Sequence, residues 1–223
     1  MMGIVDEVVV LDSFSTDKTA EICKQLGAKF YQQAFAGFGP QKRKAVELAS
    51  YDHILSLDAD EILTDELKNI ILEEKKKGLA DAYSFKRRNI FCGSFIKHCG
   101  WYPDRKVRLF NRQKMNWNTN IVHEVVDVPQ GINIVALDAD MVHHTFDSYE
   151  QHLESSLKFA KLSVEQRKAK GKTSNWLVAA CIYIYRFFMT YFWKFGFLDG
   201  KNGYLIAKVS AIYTFHKYWW REK

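Results

Sequence analysis

The sequence LDAD occurs twice in this chain, at residues 57–60 and at residues 137–140. Each copy follows an apolar run and presents two carboxylates one residue apart. The carboxylates are Asp58 and Asp60 in the first copy and Asp138 and Asp140 in the second. Two carboxylates at this spacing can bind a divalent cation through hard oxygen ligands or accept hydrogen bonds from a ribose diol. Each copy therefore predicts a metal or nucleotide site, and the surrounding elements must distinguish the two.

The N-terminal part of the chain alternates short apolar runs with helical segments. Strands are predicted at 4–11, 28–33 and 53–57, and helices at 13–27, 41–50 and 64–78. We expect Ser15 or Thr16 to cap the first helix and Thr64 to cap the third, with Gly27 and Gly78 as stops. Strand and helix in strict alternation predict a parallel α/β sheet.

The pattern changes after the third helix. Strands are predicted at 81–91, 106–112, 121–128 and 132–142 without full helices between them, which indicates a mixed or antiparallel extension of the sheet. From Ser148 onwards the sequence is helical. We therefore divide the chain into a catalytic domain at 1–147 and a helical, basic and aromatic extension at 148–223.

The two LDAD copies differ in their predicted surroundings. Ligands of open α/β sheets bind beyond the carboxyl ends of the strands, where Asp12 and Asp58 both lie, so we expect these two to line one crevice. A strand end has no structural need for several crowded acids, which favours chemistry at the first copy. In the second copy, alternation would place Asp138 and Asp140 on one strand face with His144, and we prefer a solvated strand edge to a metal site.

Several motifs together resemble one enzyme family. VDEVVVLDSFSTDKTAEI and HILSLDADEIL, followed by VHE and HHTF, look like family 2 glycosyltransferases, and within them the lipopolysaccharide-core β-glucosyltransferase branch. The resemblance covers nearly the whole chain. It implies an α/β fold of the GT-A type, a Rossmann-like mixed sheet flanked by helices. The family normally has a strand and a helix before the first of these motifs, so we expect an N-terminally truncated domain whose donor site lacks one wall.

The resemblance also implies roles at the donor site. Asp12 matches the acid that contacts the uracil or ribose of a nucleotide-sugar. Asp58 and Asp60 match a DxD motif, whose first carboxylate faces the ribose and whose second binds Mg²⁺ or Mn²⁺ on the diphosphate. His144 resembles a late histidine that reaches the metal or the diphosphate. Lys42 and Arg43 are candidates for donor contacts, with a solvated helix start as the alternative.

The acceptor side follows from the same resemblance. Glu124, next to His123, resembles the general base that deprotonates the acceptor hydroxyl, and Asp104 is a second candidate. Residues 101–110 are the expected acceptor loop. In it, Trp101 would stack on a sugar or belong to the core, and Arg105 or Arg108 would meet an acceptor phosphate.

The C-terminal third carries the positive charge of the chain. Residues 151–223 hold 13 Lys+Arg against 4 Asp+Glu, whereas the whole chain has a net charge of +6. Residues 176–193 contain one charge, Arg186, and many aromatic side chains. This composition favours a helix lying in the interface of an anionic membrane surface, with a helix packed on the catalytic core as the alternative. We do not expect nucleic-acid binding.

The four cysteines have no metal-finger spacing, and the start of the chain does not resemble a signal peptide. We therefore expect reduced, buried thiols, no zinc site around Cys92, His98 and Cys99, and a cytoplasmic protein. Together with the basic aromatic segment, the family resemblance implies a peripheral location on the inner face of a bacterial plasma membrane.

Taken together, the sequence predicts an inverting, metal-dependent transferase that moves a hexose, expected to be glucose from UDP-glucose, onto a lipopolysaccharide-core or other cell-envelope saccharide. Two alternatives remain open. A haloacid-dehalogenase-like phosphatase also has a DxD after a strand, but it requires Thr or Val where this chain has Ile62. A catalytically inactive, membrane-associated protein that binds sugar nucleotides is the other.

Overall fold

The computed structural model describes residues 3–121, 124–169, 171 and 175–219. Within it the chain forms two compact units. The first comprises Met1–Lys86 and Arg105–Met141, and the second comprises Arg87–Asp104 and Val142–Lys223.

The described elements are ten strands and six α-helices. The strands are β1 Val9–Asp12, β2 Lys29–Gln32, β3 His53–Leu55, β4 Glu61–Leu63, β5 Ala82–Phe91, β6 Ser94–Phe95, β7 Asp104–Asn111, β8 Asn116–Trp117, β9 Val126–Asp127 and β10 Ile134–Phe146. The helices are α1 Thr19–Gln25, α2 Phe38–Leu48, α3 Asp65–Lys77, α4 Tyr149–Ala169, α5 Trp176–Phe188 and α6 Gly200–Tyr218. A π-helical turn, Met189–Trp193, and a 3₁₀ turn, Gly196–Asp199, connect α5 to α6.

The strands form three separate sheets. β1 and β2 pair in parallel, as the alternating pattern predicts. A six-stranded sheet has the order β3-β7-β5-β10-β4, with β6 paired to β5, and β8 and β9 form an antiparallel pair. The prediction that the third strand joins the first two in one parallel sheet is wrong, because β3 instead pairs antiparallel with β7, with Ile54 opposite Phe110. An apolar run indicates that a strand is buried but does not specify its partner.

Local sequence signals determine where helix α3 begins and ends in the first unit. The Thr64 side chain accepts a hydrogen bond from the Leu67 N–H, and Gly78 follows the last turn with a φ of 91°, as predicted. The apolar face of α3 buries Leu67 and Ile71 in a core that includes Tyr83. Removing such side chains from water stabilises the unit by roughly 1.5–3 kcal/mol each.

The second unit is mainly helical. Its core contains Phe91, Ile96, Cys99 and Ile206. Burial raises the pKa of the Cys99 thiol to about 12, so this cysteine is an inert, buried thiol. The expectation that the thiols are buried is correct for Cys99 and wrong for Cys181, which is exposed.

One helical stretch in the described residues, Trp176–Trp193, is long and apolar enough to span a membrane by length and composition. Only 11% of it is buried within the protein. Several of its large side chains are more than half exposed, among them Ile184, Tyr185, Phe188 and Trp193. A helix that served only as core would bury these side chains.

Candidate active site

The N-terminus of α2 is packed against the loop that precedes β9. The Gly39 N–H donates to the Asn120 carbonyl at 3.1 Å. A Cβ atom on Gly39 would lie 2.4 Å from the Asn118 carbonyl oxygen, so only glycine permits this close approach. The contact fixes the first turn of α2, which carries Lys42, beside the loop that carries Glu124.

Lys42 joins two carboxylates from different parts of the first unit. Its Nζ lies 2.8 Å from Asp58 Oδ1 and 2.7 Å from Glu124 Oε1. The ammonium also lies 4.6 Å from the centroid of the Trp117 ring, within the range of a cation–π contact. The Lys42 side chain is 13% exposed, which makes these interactions stronger than they would be on an open surface.

Arg108 forms a second cationic contact with Asp58. Its Nη2 lies 2.9 Å from Asp58 Oδ2 and 2.5 Å from Glu61 Oε1, and the Glu61 side chain is fully buried. The prediction that Arg108 meets an acceptor phosphate is wrong, because its guanidinium is buried between these two carboxylates. Burial lowers the pKa of Arg108, but the charges of Glu61 and Asp58 outweigh this effect and raise it.

Asp58 is ionised and doubly paired, whereas Asp60 is exposed beside it. Burial raises the pKa of Asp58, but Arg108 and Lys42 lower it more, so the net shift is downward. The Asp58 N–H donates to Glu61 Oε2 at 3.0 Å, which closes the turn around the motif. The first LDAD copy is thus a structured turn that presents one held carboxylate and one exposed carboxylate.

Asp12, at the end of β1, is organised by its own following turn. The Ser15 N–H and hydroxyl donate to its carboxylate at 2.9 and 2.5 Å, and Gln32 Nε2 donates at 3.2 Å. These hydrogen bonds, chiefly that of the Ser15 hydroxyl, lower the pKa of Asp12. The prediction that Ser15 or Thr16 caps α1 is wrong, because Lys18 occupies the N-cap position without a side-chain bond and Ser15 binds Asp12 instead.

Neighbouring residues of α2 contact the segments that follow β1 and β3. Gln41 Nε2 donates to Ser13 Oγ at 3.1 Å, and Lys42 contacts Asp58. Arg43 Nη1 donates to the Trp117 carbonyl at 3.1 Å, which holds the β8–β9 hairpin to the helix. One helix turn therefore connects both predicted donor-site segments to the hairpin beside Glu124.

Asp104 and His144 lie in the second unit. Asp104 Oδ2 accepts hydrogen bonds from Arg87 Nε at 2.9 Å and forms an ion pair with its Nη2 at 2.7 Å. His144 is exposed on β10. His123 lies outside the described residues.

The aromatic and basic residues of the expected acceptor loop have structural contacts. The Trp101 ring packs edge-on against Phe91 and His152 at centroid distances of 5.9 and 5.6 Å, in agreement with the core alternative. Arg105 Nη1 donates to the carbonyls of Ser84 and Leu137 at 3.0 and 2.8 Å. Trp101 and Arg105 therefore both have partners within the protein.

The second LDAD copy lies within β10. Asp138 is exposed and pairs with Lys86 Nζ at 2.7 Å, whereas Asp140 is buried. The prediction of a sheet-edge position is wrong, because β10 is flanked by β5 and β4. Ala139, Asp140 and Met141 are buried in succession, so exposure does not alternate along this part of the strand. The shared face of Asp138, Asp140 and His144 stays a prediction.

No group of three His, Cys, Asp or Glu residues in the described part of the chain is arranged to hold a metal ion. The carboxylates of Asp58 and Asp60 nevertheless fit a divalent cation that binds together with a phosphate-bearing ligand. Mg²⁺ is usually held by one or two carboxylates, with waters and substrate phosphates as its other ligands. Asp60, exposed beside Asp58, offers this kind of incomplete oxygen site.

The sequence did not predict the contacts of two residues of the site, Trp117 and Glu61. Trp117 lies beneath both cations, with the Arg108 guanidinium 5.3 Å from its ring centroid, and Glu61 is the buried partner of Arg108. The signal for Glu61 was its place as the third acid of DADE. Trp117 has no distinctive spacing, so its role requires the folded hairpin.

Comparison with known proteins identifies a family. The family model for Glycosyl transferase family 2 matches residues 3–139. An uncharacterized glycosyltransferase of Rickettsia bellii is 28% identical over 223 residues, covering 96% of this chain and 76% of the relative. A lipopolysaccharide core biosynthesis glycosyltransferase, LpsC of Rhizobium meliloti, is 25% identical over 94% of this chain and 80% of its own length.

Among solved structures, S. aureus TarS 1–349 in complex with UDP matches with 15% identity and a TM-score of 0.42. The match covers 71% of this chain and 56% of the TarS chain, so it spans little more than half of that structure.

The family match covers more than half of the chain. It includes the whole first LDAD copy and residues 137–139 of the second. It confirms the predicted resemblance, the mixed α/β fold of the GT-A type and the enzyme class, and it disfavours the phosphatase alternative. The chain belongs to Glycosyl transferase family 2.

Proposed function

We propose that this chain transfers a hexose with inversion, using UDP-glucose as donor and a lipopolysaccharide-core or other cell-envelope saccharide as acceptor. The observation that carries the proposal is the contact of Lys42 with both Asp58 and Glu124. This contact joins the carboxylates that we propose as the donor-side acid, Asp58, and the general base, Glu124, through one ammonium. The name of the LpsC relative supports the choice of acceptor class.

The donor nucleotide would be held on the side of Asp12 and Asp58. Both carboxylates have lowered pKa values, so both are ionised at neutral pH and can accept hydrogen bonds from a ribose or a uracil N–H. Lys42, and Arg43 with its remaining donors, would contact the diphosphate. The cationic side of this cluster favours the binding of a negatively charged nucleotide.

A divalent cation, Mg²⁺ or Mn²⁺, would be held by Asp60 with Asp58. A role for His144 at the metal or the diphosphate stays a prediction from the family resemblance. When bound, the cation neutralises charge on the departing nucleoside diphosphate. Asp58 already faces two cationic side chains, so the more exposed Asp60 is the main protein ligand in this proposal.

Glu124 would take the proton from the acceptor hydroxyl. In the described structure its carboxylate is paired with the Lys42 ammonium. A donor diphosphate would compete for the same ammonium. Transfer of Lys42 from Glu124 to the diphosphate would leave the Glu124 carboxylate available to the acceptor hydroxyl when the donor is bound. Asp104, which is paired with Arg87, is the alternative base.

The stretch Trp176–Trp193 would place the protein on the cytoplasmic face of the bacterial plasma membrane. Its exposed apolar side chains and the excess of basic residues in the C-terminal third suit the interface of an anionic leaflet. A lipid-linked saccharide acceptor is found at such a surface. The same exposure disfavours the alternative of a helix fully packed on the core.

Glu124→Gln tests the catalytic part of the proposal. Because loss of a general base typically lowers a rate by about 10²–10⁴-fold, we expect glucosyl transfer to fall by that factor while UDP affinity stays within about twofold of wild type. Asp127→Asn, an exposed acid in the same hairpin, is the matched control and should leave transfer unchanged. Retained transfer in Glu124→Gln would assign the proton transfer to another residue, with Asp104→Asn as the next variant.

Ile184→Glu with Phe188→Glu tests the membrane part. We expect the double variant to lose co-sedimentation with vesicles that contain phosphatidylglycerol, because two carboxylates would enter the apolar interface. Leu162→Glu, at an exposed site on α4, is the matched control and should still bind. Undiminished binding of the double variant would show that this surface does not face the membrane.

A further inference from the structure

Lys194 lies in the second unit, in the short connection between the π-helical turn and the 3₁₀ turn. Its backbone N–H donates to the Met189 carbonyl at 2.9 Å, and its carbonyl accepts the Cys99 N–H at 3.0 Å. The first bond closes the π-helical turn, and the second attaches it to the loop that follows β6. The backbone of Lys194 is therefore held from two sides.

The ammonium of Lys194 lies directly against Gly100. A Cβ atom on Gly100 would be 2.7 Å from Lys194 Nζ and 3.0 Å from its Cδ. Gly100 has a φ of 76°, a conformation that favours glycine. Because this residue has no side chain, the ammonium can approach the backbone of the loop.

Lys194 has no counter-ion among the described residues. Its side chain is half-buried, and it forms no ion pair and no side-chain hydrogen bond there. The carboxylate of Asp199, in the same connection, is already engaged. It accepts the N–H groups of Lys97 and His98 at 3.2 and 2.8 Å and lies 3.1 Å from His98 Nδ1. A half-buried cation has lost part of its hydration, so an anionic ligand at this point would be favourable.

The charges around this connection favour an anion. Lys97 is exposed, and within the described part of the chain its ammonium also has no ion pair. Asp199 supplies one carboxylate against these two ammonium groups, and its side chain is only 7% exposed. The accessible charge is therefore positive, and it would attract a negatively charged group.

The residues on both sides of Lys194 are large, aromatic and exposed. Trp193 is 73% exposed and Phe195 is 55% exposed, and Phe192 and Phe197 are exposed as well. At a membrane surface, aromatic rings lie at the level of the headgroups and lysine side chains extend toward them. A ligand that satisfies the ammonium and also covers these rings must carry both an anionic group and an apolar part.

We propose that Lys194 binds the phosphate of an anionic phospholipid headgroup, with the turn around Gly100 and the ammonium of Lys97 beside it. The phosphate oxygens would accept charge-assisted hydrogen bonds from Lys194, and Trp193 and Phe195 would contact the apolar part of the same lipid. A free phosphate ion would pair with the ammonium but would leave both rings exposed. The proposal rests on the membrane part of the proposed function, to which it adds a lipid group and the residues that bind it.

The site adjoins the expected acceptor loop at residues 101–110. The Trp101 N–H donates to the His98 carbonyl at 2.9 Å, so the turn that contains Gly100 leads directly into this loop. A headgroup bound by Lys194 would hold the start of the loop at the membrane surface. A lipid-linked saccharide would meet the protein at the same surface.

The test titrates the full chain with dihexanoyl phosphatidylglycerol at concentrations where this short-chain lipid stays monomeric. We expect the NMR signals of the Gly100 and Phe195 amides to shift and to saturate. In Lys194→Gln the affinity should fall by about tenfold or more, because a charge-assisted hydrogen bond is lost. Lys194→Arg keeps the cation and should restore most of the affinity. Lys161→Gln, at an exposed position on α4, is the matched control and should bind as wild type does.

Inorganic phosphate is titrated in parallel to distinguish a lipid site from a site for free anions. Equal affinity for inorganic phosphate and for the lipid would overturn the assignment to a headgroup, since it would show that the aromatic residues add nothing. Unchanged lipid affinity in Lys194→Gln would overturn the site itself. Absence of a saturable shift in wild type at millimolar lipid would do the same.

Co-sedimentation with phosphatidylglycerol vesicles separates this site from the membrane proposal as a whole. We expect Lys194→Gln to lower vesicle binding by about fivefold, and Ile184→Glu with Phe188→Glu to abolish it. Loss of binding in the double variant with wild-type binding in Lys194→Gln would leave the membrane proposal standing and contradict the Lys194 site. The opposite pattern would support the site and contradict the role of the α5 surface.

Discussion

The two LDAD copies have the same four residues and opposite surroundings. The first lies in a turn between β3 and β4, where the Glu61 N–H donates to the Asp58 carbonyl at 3.0 Å. The second lies inside β10, a strand of 13 residues. The turn allows Asp58 to meet two cations, whereas Asp138 meets Lys86 with 87% of its side chain exposed. The chemistry of a motif thus depends on whether the backbone bends after it.

The largest expected difference between the copies concerns their cationic partners. Arg108→Met leaves the buried Glu61 carboxylate without its cation, which should reduce the free energy of unfolding by about 3–5 kcal/mol. Lys86→Met removes the partner of an exposed carboxylate, and its unfolding curve should overlay that of wild type. Urea denaturation at pH 7 measures both. Equal losses in the two variants would contradict the difference between a buried and a solvated ion pair.

A second contrast concerns ligand binding. Asp58→Asn should lower glucosyl transfer by about 10²-fold, because the amide cannot orient Lys42 as the carboxylate does. Asp138→Asn, the same change at the matching position, should leave transfer within about twofold of wild type. Steady-state rates with UDP-glucose measure the effect, and circular dichroism checks that both variants are folded. A comparable loss in Asp138→Asn would assign function to the second copy.

The smallest expected difference is a dependence on pH. Burial raises the pKa of Asp58, but Arg108 and Lys42 lower it below its ordinary value. A carboxylate with a lowered folded-state pKa contributes stability that is complete above its unfolded pKa of about 4 and is lost as the pH falls through the folded value.

The stability difference between wild type and Asp58→Asn should therefore be constant from about pH 6 to pH 7 and should shrink below about pH 4. Thermal unfolding at a series of pH values measures it. The same series with Asp138→Asn should show a smaller change, because that carboxylate is almost fully solvated. A difference that grows as the pH falls would reverse the sign assigned to Asp58.

Local features of the fold were predictable from the sequence. The Thr64 cap, the Gly78 stop and the parallel pairing of β1 with β2 follow from short-range signals. The partner of β3 was not predictable, because the apolar run at 53–57 fits either a parallel or an antiparallel neighbour. The interruption of alternation at 139–141 arises because β10 is covered on parts of both faces, which composition alone does not reveal.

The acidic residues of the candidate site were predictable from the sequence, but the side chains that pair with them were not. Asp12 and Asp58 follow apolar strands, which is a readable pattern. The partners of Asp58 are 16 and 50 residues away in the sequence, and Lys42 is 82 residues from Glu124. Only the folded chain shows that one ammonium connects these carboxylates. The family resemblance identified Glu124, whereas its pairing with Lys42 required the structure.

The assignment of the donor site to the first LDAD copy is tested by comparing Asp60→Ala with Asp138→Ala in the presence of UDP and Mn²⁺. A ligand that binds the folded state raises the melting temperature, so UDP with Mn²⁺ should stabilise wild type and Asp138→Ala to the same extent. Asp60→Ala should lose this shift. A full shift in Asp60→Ala, or a shift lost in Asp138→Ala, would contradict the assignment of the donor site to the first LDAD copy.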